Sequence, residues 1–148
     1  MVATGRLAIG FDDQRYNAQT FWADGVTIIF DETKIGGAAA TMIGKAVTFA
    51  AAADTVALCA DGDPVIGKLI KVEKDGACTV QNKGNAVLPA GASATVTPGI
   101  KQVGAVGAAA AKGYIRNAAS ATAAELVRMG PFAWDNADMT AVVVDFGG

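Results

Sequence analysis

The sequence contains no histidine. Ser-His and Cys-His nucleophilic pairs, histidine general bases and histidine metal ligands are all excluded by that one absence. Cysteine is nearly absent too, with only Cys59 and Cys78, which fits a reducing compartment better than a disulfide framework. There is no surplus of basic charge. Twelve Lys and Arg stand against 14 Asp and Glu, so no electrostatic drive toward a phosphate backbone exists and no nucleic-acid partner is expected. No stretch approaches the roughly 18 apolar residues of a membrane span. The opening Met1–Phe11 is broken by Gly5, Arg6 and Gly10 and does not read as a secretory signal. The expectation is a soluble chain made in the cytoplasm, with no membrane partner.

What is present is small and apolar. The chain has 148 residues, 52% of them hydrophobic and 18% charged. That length reads as one folding unit able to bury a core without metal or disulfides. Short runs of β-formers recur at roughly ten-residue spacing between turn residues. They are Lys45–Phe49, Val56–Ala60, Val65–Lys74, Ala77–Gln81, Ala86–Leu88, Ile100–Val103, Gly113–Asn117 and Ala141–Phe146. The reading is an all-β fold, a small β-barrel or β-sandwich, with at most one or two short helices. Thr122 and Glu125 match a capping box, and Gly130-Pro131 stops whatever follows. That leaves about two turns of helix, in competition with an Ala-rich strand.

Residues 1–36 differ from the rest and are read as an N-terminal arm or extended edge segment, with 37–148 as the main β domain. The segment holds Phe11, Tyr16, Phe21 and Trp22 with no clear period, then Val26–Phe30, which reads as a strand. The alternative is that this segment supplies a first strand pair of the main fold. Phe21-Trp22 is either a core anchor or an exposed hot spot. Arg6, Arg15, Phe21 and Trp22 are the candidate contact residues of the chain.

One hairpin can be placed in register. A three-residue loop, Lys74–Gly76, sets Val72 opposite Cys78 and Ile70 opposite Val80 and so aligns the apolar faces, with Gly76 in the left-handed conformation. Cys59 then lies on the order of 20 Å from Cys78 at strand rise. Both cysteines are expected to be free, since a bridge needs Cα atoms within about 7 Å.

Candidate chemistry is sparse. The Gly44-Lys45 pair fails as a phosphate loop, because Ala39 and Ala46 stand where Gly and Ser or Thr are needed. Ser93 and Ser120 lie in no nucleophile motif. Asp61-Gly62-Asp63 starts no EF-hand, since Pro64, Val65 and Ile66 follow. Asp12-Asp13 and Asp31-Glu32 are adjacent carboxylates, which on a strand point to opposite faces. No catalytic residue, metal or cofactor is expected, and the chain is not read as an enzyme.

The stretch Gly44–Phe146 resembles the capsid decoration, or cement, proteins of tailed bacteriophages. The features that carry this are GKAVTF at Gly44–Phe49, the Asp54–Gln81 hairpin pair, VLPAG, VTPGIKQVG, KGYIRNAASATA and the closing TAVVVDF. The first 40 residues match least. The resemblance implies a small β-barrel or sandwich on the virion exterior that binds the major capsid protein, bridges its subunits and forms a homo-oligomer, a trimer in preference to a dimer. The alternative is a β-sandwich binding module for carbohydrate or a fibre. Such a module wants exposed aromatics on one sheet face, and few lie outside the N-terminal region and Phe132–Trp134.

Overall fold

The computed structural model describes residues 17–30, 42–94, 96–119, 123–134 and 141–147. Its first half is a closed five-stranded barrel. The strands are β1 (Asn17–Ala23), β2 (Ala46–Phe49), β3 (Thr55–Leu58), β4 (Gly67–Val72) and β5 (Ala77–Lys83), in the spatial order β1-β3-β2-β4-β5. Every contact in this ring is antiparallel except the short β1–β3 pairing. Alternation does the sorting. Val56 and Leu58 on β3, Leu69 on β4, and Cys78 and Val80 on β5 turn inward, joined by Val47 of β2. Gly67 opens β4 because a Cβ there would run into the carbonyl oxygen of Gln81 and meet Val80 Cγ1 at 2.5 Å.

Of the two readings weighed for the N-terminal segment, a strand of the main fold is what Asn17–Ala23 forms, paired on one side with β5 and on the other with β3. The 36/37 boundary lies outside the described residues. The expected strand Val26–Phe30 is not one. Asp24 is the reason: its carboxylate accepts the backbone N–H groups of Val26, Thr27 and Ile28 at 2.9–3.3 Å. Those donors are then lost to any ladder, as Asx side chains in turns commonly arrange. The Thr27 hydroxyl donates to Asp24 Oδ2 at 2.8 Å and accepts from Leu58 N–H at 2.9 Å. The loop so fixed drives Ile28 fully into the barrel core and lays the Phe30 ring over Gly76.

The β4–β5 hairpin keeps the expected turn. Val72 faces Cys78, Gly76 has φ +92°, and Glu73 and Ala77 close a three-residue loop. Beyond it the register differs from expectation. A bulge at Ile70 makes Leu69, not Ile70, the partner of Val80. The bulge lets Leu69 turn inward while Lys71 stays in water.

The second half uses β6 (Asn85–Leu88), β7 (Gln102–Ala105), β8 (Tyr114–Asn117), β9 (Phe132–Ala133) and β10 (Val142–Asp145). Three of them form the sheet β6-β10-β9, and β7 and β8 form a ribbon. Single bridges, Lys101 to Phe132 and Ala90 to Ile115, join sheet and ribbon into a second ring. Its interior holds Leu88, Ala90, Val96, Ile115, Ala133, Val142 and Val144, and it takes in Ala46 of β2 and Cys59, the residue after β3. Cys59 and Cys78 therefore sit in different cores, both free and buried. The α-helix α1 (Ala123–Val127) is a single short turn, and Thr122, its expected cap, lies outside the described residues.

Candidate docking surfaces

The sequence singled out four contact residues. Arg6 and Arg15 lie outside the described residues, and β1 separates the other two. Strand alternation turns Phe21 toward the barrel core, where its ring meets Phe49 edge-on with centroids 6.2 Å apart. Trp22 points the other way and is 52% exposed. Its backbone is held on both flanks, by pairing with Ala77 of β5 and Thr55 of β3, and its N–H donates to Asp54 O at 2.8 Å. Phe49 closes the strand end beside Phe21 and is itself half exposed. One barrel end thus presents two large aromatic surfaces on immobilised backbone.

A second exposed surface comes from the second ring. Phe132 and Trp134 flank the buried Ala133, so both rings leave the same face of β9, 50% and 58% exposed. The register extends the face across strands. Val87 pairs with Val143, and Trp134 N–H donates to Val143 O at 2.8 Å, which lines up Val87, Val143 and Trp134. The neighbouring row is Asn85, Asp145, Phe132 and Lys101, each paired with the next. An aromatic residue with an acid on one side and a base on the other therefore lies in the middle of this row.

A charged strut stands beside that surface. Arg116 donates to Asp61 through Nε at 2.8 Å, and to Glu125 through Nη1 and Nη2 at 3.0 and 2.8 Å. Glu125 also accepts the N–H of Ala119 at 2.7 Å. The Arg116 hydrogen bonds, with that backbone donor second, hold the Glu125 carboxyl down at about 2. The same bonds raise Arg116 further above its ordinary range. Arg128 donates to Gly62 O. Asp63 is also engaged, accepting Ala60 N–H at 2.8 Å, so the Asp61–Asp63 turn directs its carboxylates at protein partners. Helix α1 is consequently inverted: Glu125 faces inward, while Leu126 and Val127, and Met129 just beyond the helix, face water. Among the described residues no group of three or more Cys, Asp and Glu is placed to hold a metal, and no helix is long and apolar enough to cross a membrane.

Comparison with family models, with curated proteins and with solved structures found no match.

Phe132 and Trp134 were visible in the sequence as a pair. Their polar neighbours Asp145 and Lys101 were not, because only non-local pairing brings them beside Phe132. The F-A-W alternation at 132–134 was the signal that existed.

Proposed function

We propose that this chain is a structural virion protein that binds the exterior of a tailed-phage capsid and bridges major capsid protein subunits. It would be made in the host cytoplasm and act as a homo-oligomer. The observation that carries the reading is Trp22, a large aromatic half exposed on a strand paired on both sides. Tryptophan is among the residues most often found to anchor protein interfaces. Presented on a rigid strand, it avoids the ordering cost that a flexible arm incurs on binding. The resemblance across Gly44–Phe146 supplies the kind of partner. Each contact need only be modest, because an oligomer engages several capsid subunits at once. Binding that favours the assembled shell stabilises it by mass action.

The test is Trp22→Ala, read by melting and by binding to empty expanded heads built from the same phage's major capsid protein. Melting should change little, because the side chain is half in water, whereas truncating a core tryptophan costs about 3–5 kcal/mol. Head binding should weaken at least tenfold, equivalent to about 1.4 kcal/mol. Unchanged binding rejects the reading.

Phe132 and Trp134 on one sheet face favour a second reading, a carbohydrate-binding module, since aromatic rings beside Asp and Asn side chains suit a sugar. Saturable quenching of tryptophan fluorescence by an oligosaccharide, lost in Trp134→Ala, would support it over the first.

A further inference from the structure

We propose that the outer face of the β6-β10-β9 sheet is where two copies of this chain meet, related by a two-fold axis lying along β9. The pair so formed is a dimer where the resemblance implies a trimer, and the inference rests on the function proposed above only for the existence of an oligomer.

Three observations converge on a second copy as the occupant. The face is apolar at its centre, with Phe132 and Trp134 at least half exposed beside Val87 and Val143. Adjacent aromatics in water on one sheet face are what the core of an interface is made of. At this face β10 lies between β6 and β9, and β9 is bridged to Lys101 on its other side, so the two central strands offer no free edge for strand addition. The first ring closes on itself, and bridges at Lys101–Phe132 and Ala90–Ile115 tie the second. Contact over Phe132 and Trp134 is therefore made by side chains.

The third observation selects the partner. Asp145 and Lys101 flank Phe132 on opposite sides in one row, about 10 Å apart at two strand spacings. A two-fold axis along β9, in the plane between two stacked faces, exchanges the sides of the row. Phe132 then lies on its own copy, Trp134 on its own copy, and each Asp145 opposite the other chain's Lys101. The pattern is self-complementary, as an isologous interface requires. Both groups have capacity left. Asp145 accepts Gly147 N–H through Oδ1, at 2.8 Å, leaving Oδ2. Lys101 Nζ donates to Leu126 O and Arg128 O at 2.8 and 2.7 Å, leaving one of its three N–H donors.

The geometry makes an unusual demand on variants. In Asp145→Lys every cross-contact becomes Lys against Lys, and in Lys101→Glu it becomes Asp against Glu. Each variant alone should self-associate at least tenfold more weakly than the wild type in sedimentation at micromolar concentration. Mixed in equal amounts, the two should form a heterodimer, because both cross-contacts are then opposite in sign. Raising salt should weaken that heterodimer. Melting curves check that each variant is folded, since Lys101→Glu also removes two donors from the carbonyls after α1. If it does not fold, Asp145→Lys and Phe132→Asp must each shift the wild-type dimer toward monomer at least tenfold.

A wild-type chain that sediments as a monomer overturns both this interface and the oligomer reading. A trimer, or a dimer indifferent to these substitutions, overturns the interface and leaves the oligomer reading standing.

Discussion

Replacing Glu125 with Gln tests the charged strut beside α1, and its size can be worked from the geometry. The carboxylate accepts two guanidinium N–H groups and one backbone N–H within 3.0 Å, and its side chain is only 11% exposed. Its folded-state value of about 2 lies below the ordinary 4.5. That interval corresponds to a ceiling of about 3 kcal/mol. Asp61, well exposed, shares the same guanidinium and keeps part of the attraction in the variant, while solvent screens the rest. The expected loss at pH 7 is therefore about 1–2 kcal/mol. The sign follows from the direction of the change. A carboxyl depressed on folding contributes fully above its unfolded value and progressively less as pH falls from about 4.5 toward 2. Urea unfolding of wild type and Glu125→Gln at pH 7, 5, 3.5 and 2.5 should show a stability gap that closes with acid. A gap that is absent at pH 7, or that stays constant to pH 2.5, refutes the strut.

Gly67→Ala should cost about 3 kcal/mol or more, because its Cβ would collide with the Gln81 backbone, which cannot move aside; an unchanged urea midpoint would contradict the β4–β5 packing. Both cysteines should be inert to thiol reagents at pH 8 in the native protein, and two per chain should titrate once it is denatured without reductant. Burial pushes Cys78 up to about 11, with Asp24 adding to it, and pushes Cys59 higher still, with Asp63 adding. Rapid native reaction, or fewer than two thiols after denaturation, would contradict the placement of Cys59 and Cys78 in separate cores.

The parts of the fold legible in the sequence are those whose determinants are neighbours. The β4–β5 turn was placed by Asp75-Gly76 and the demand that Val72 and Cys78 share a face, and it is found so. The bulge three residues before the turn was not legible, because it arises from how Leu69 seats against Val80 across the strand pair. Segment 17–30 misled for two opposite reasons. Asn17–Ala23 lacks the strand period, since β1 exposes Gln19, Thr20 and Trp22, although β5 pairs with it along its length and β3 at Trp22 and Ala23. Val26–Phe30 has strand composition, but Asp24 takes its amide donors. Composition reports what a side chain prefers; it does not report who has claimed the backbone.

The same limit explains the surfaces. The sequence offers Glu125 as the last member of a capping box with Thr122, which lies outside the described residues. Among the described residues the Glu125 carboxylate serves the amide of Ala119 and Arg116 of β8, the latter a partner nine residues away whose position depends on β7–β8 pairing. Once that ion pair takes the inner side of α1, helical geometry leaves Leu126 and Val127 facing outward, and Met129 beyond them is also in water. Hydrophobic side chains thus reach solvent because a charge was buried first, and the apolar exterior follows from the electrostatics of the interior. With the first half closed into a barrel and β9 and β10 flanked on both sides, the sheet β6-β10-β9 meets its surroundings at its centre through side-chain faces. Trp22 on one barrel end and the Phe132–Trp134 face on the other ring are separate surfaces; in the function proposed above the first meets the shell, and in the inference drawn from it the second meets the chain's own copy.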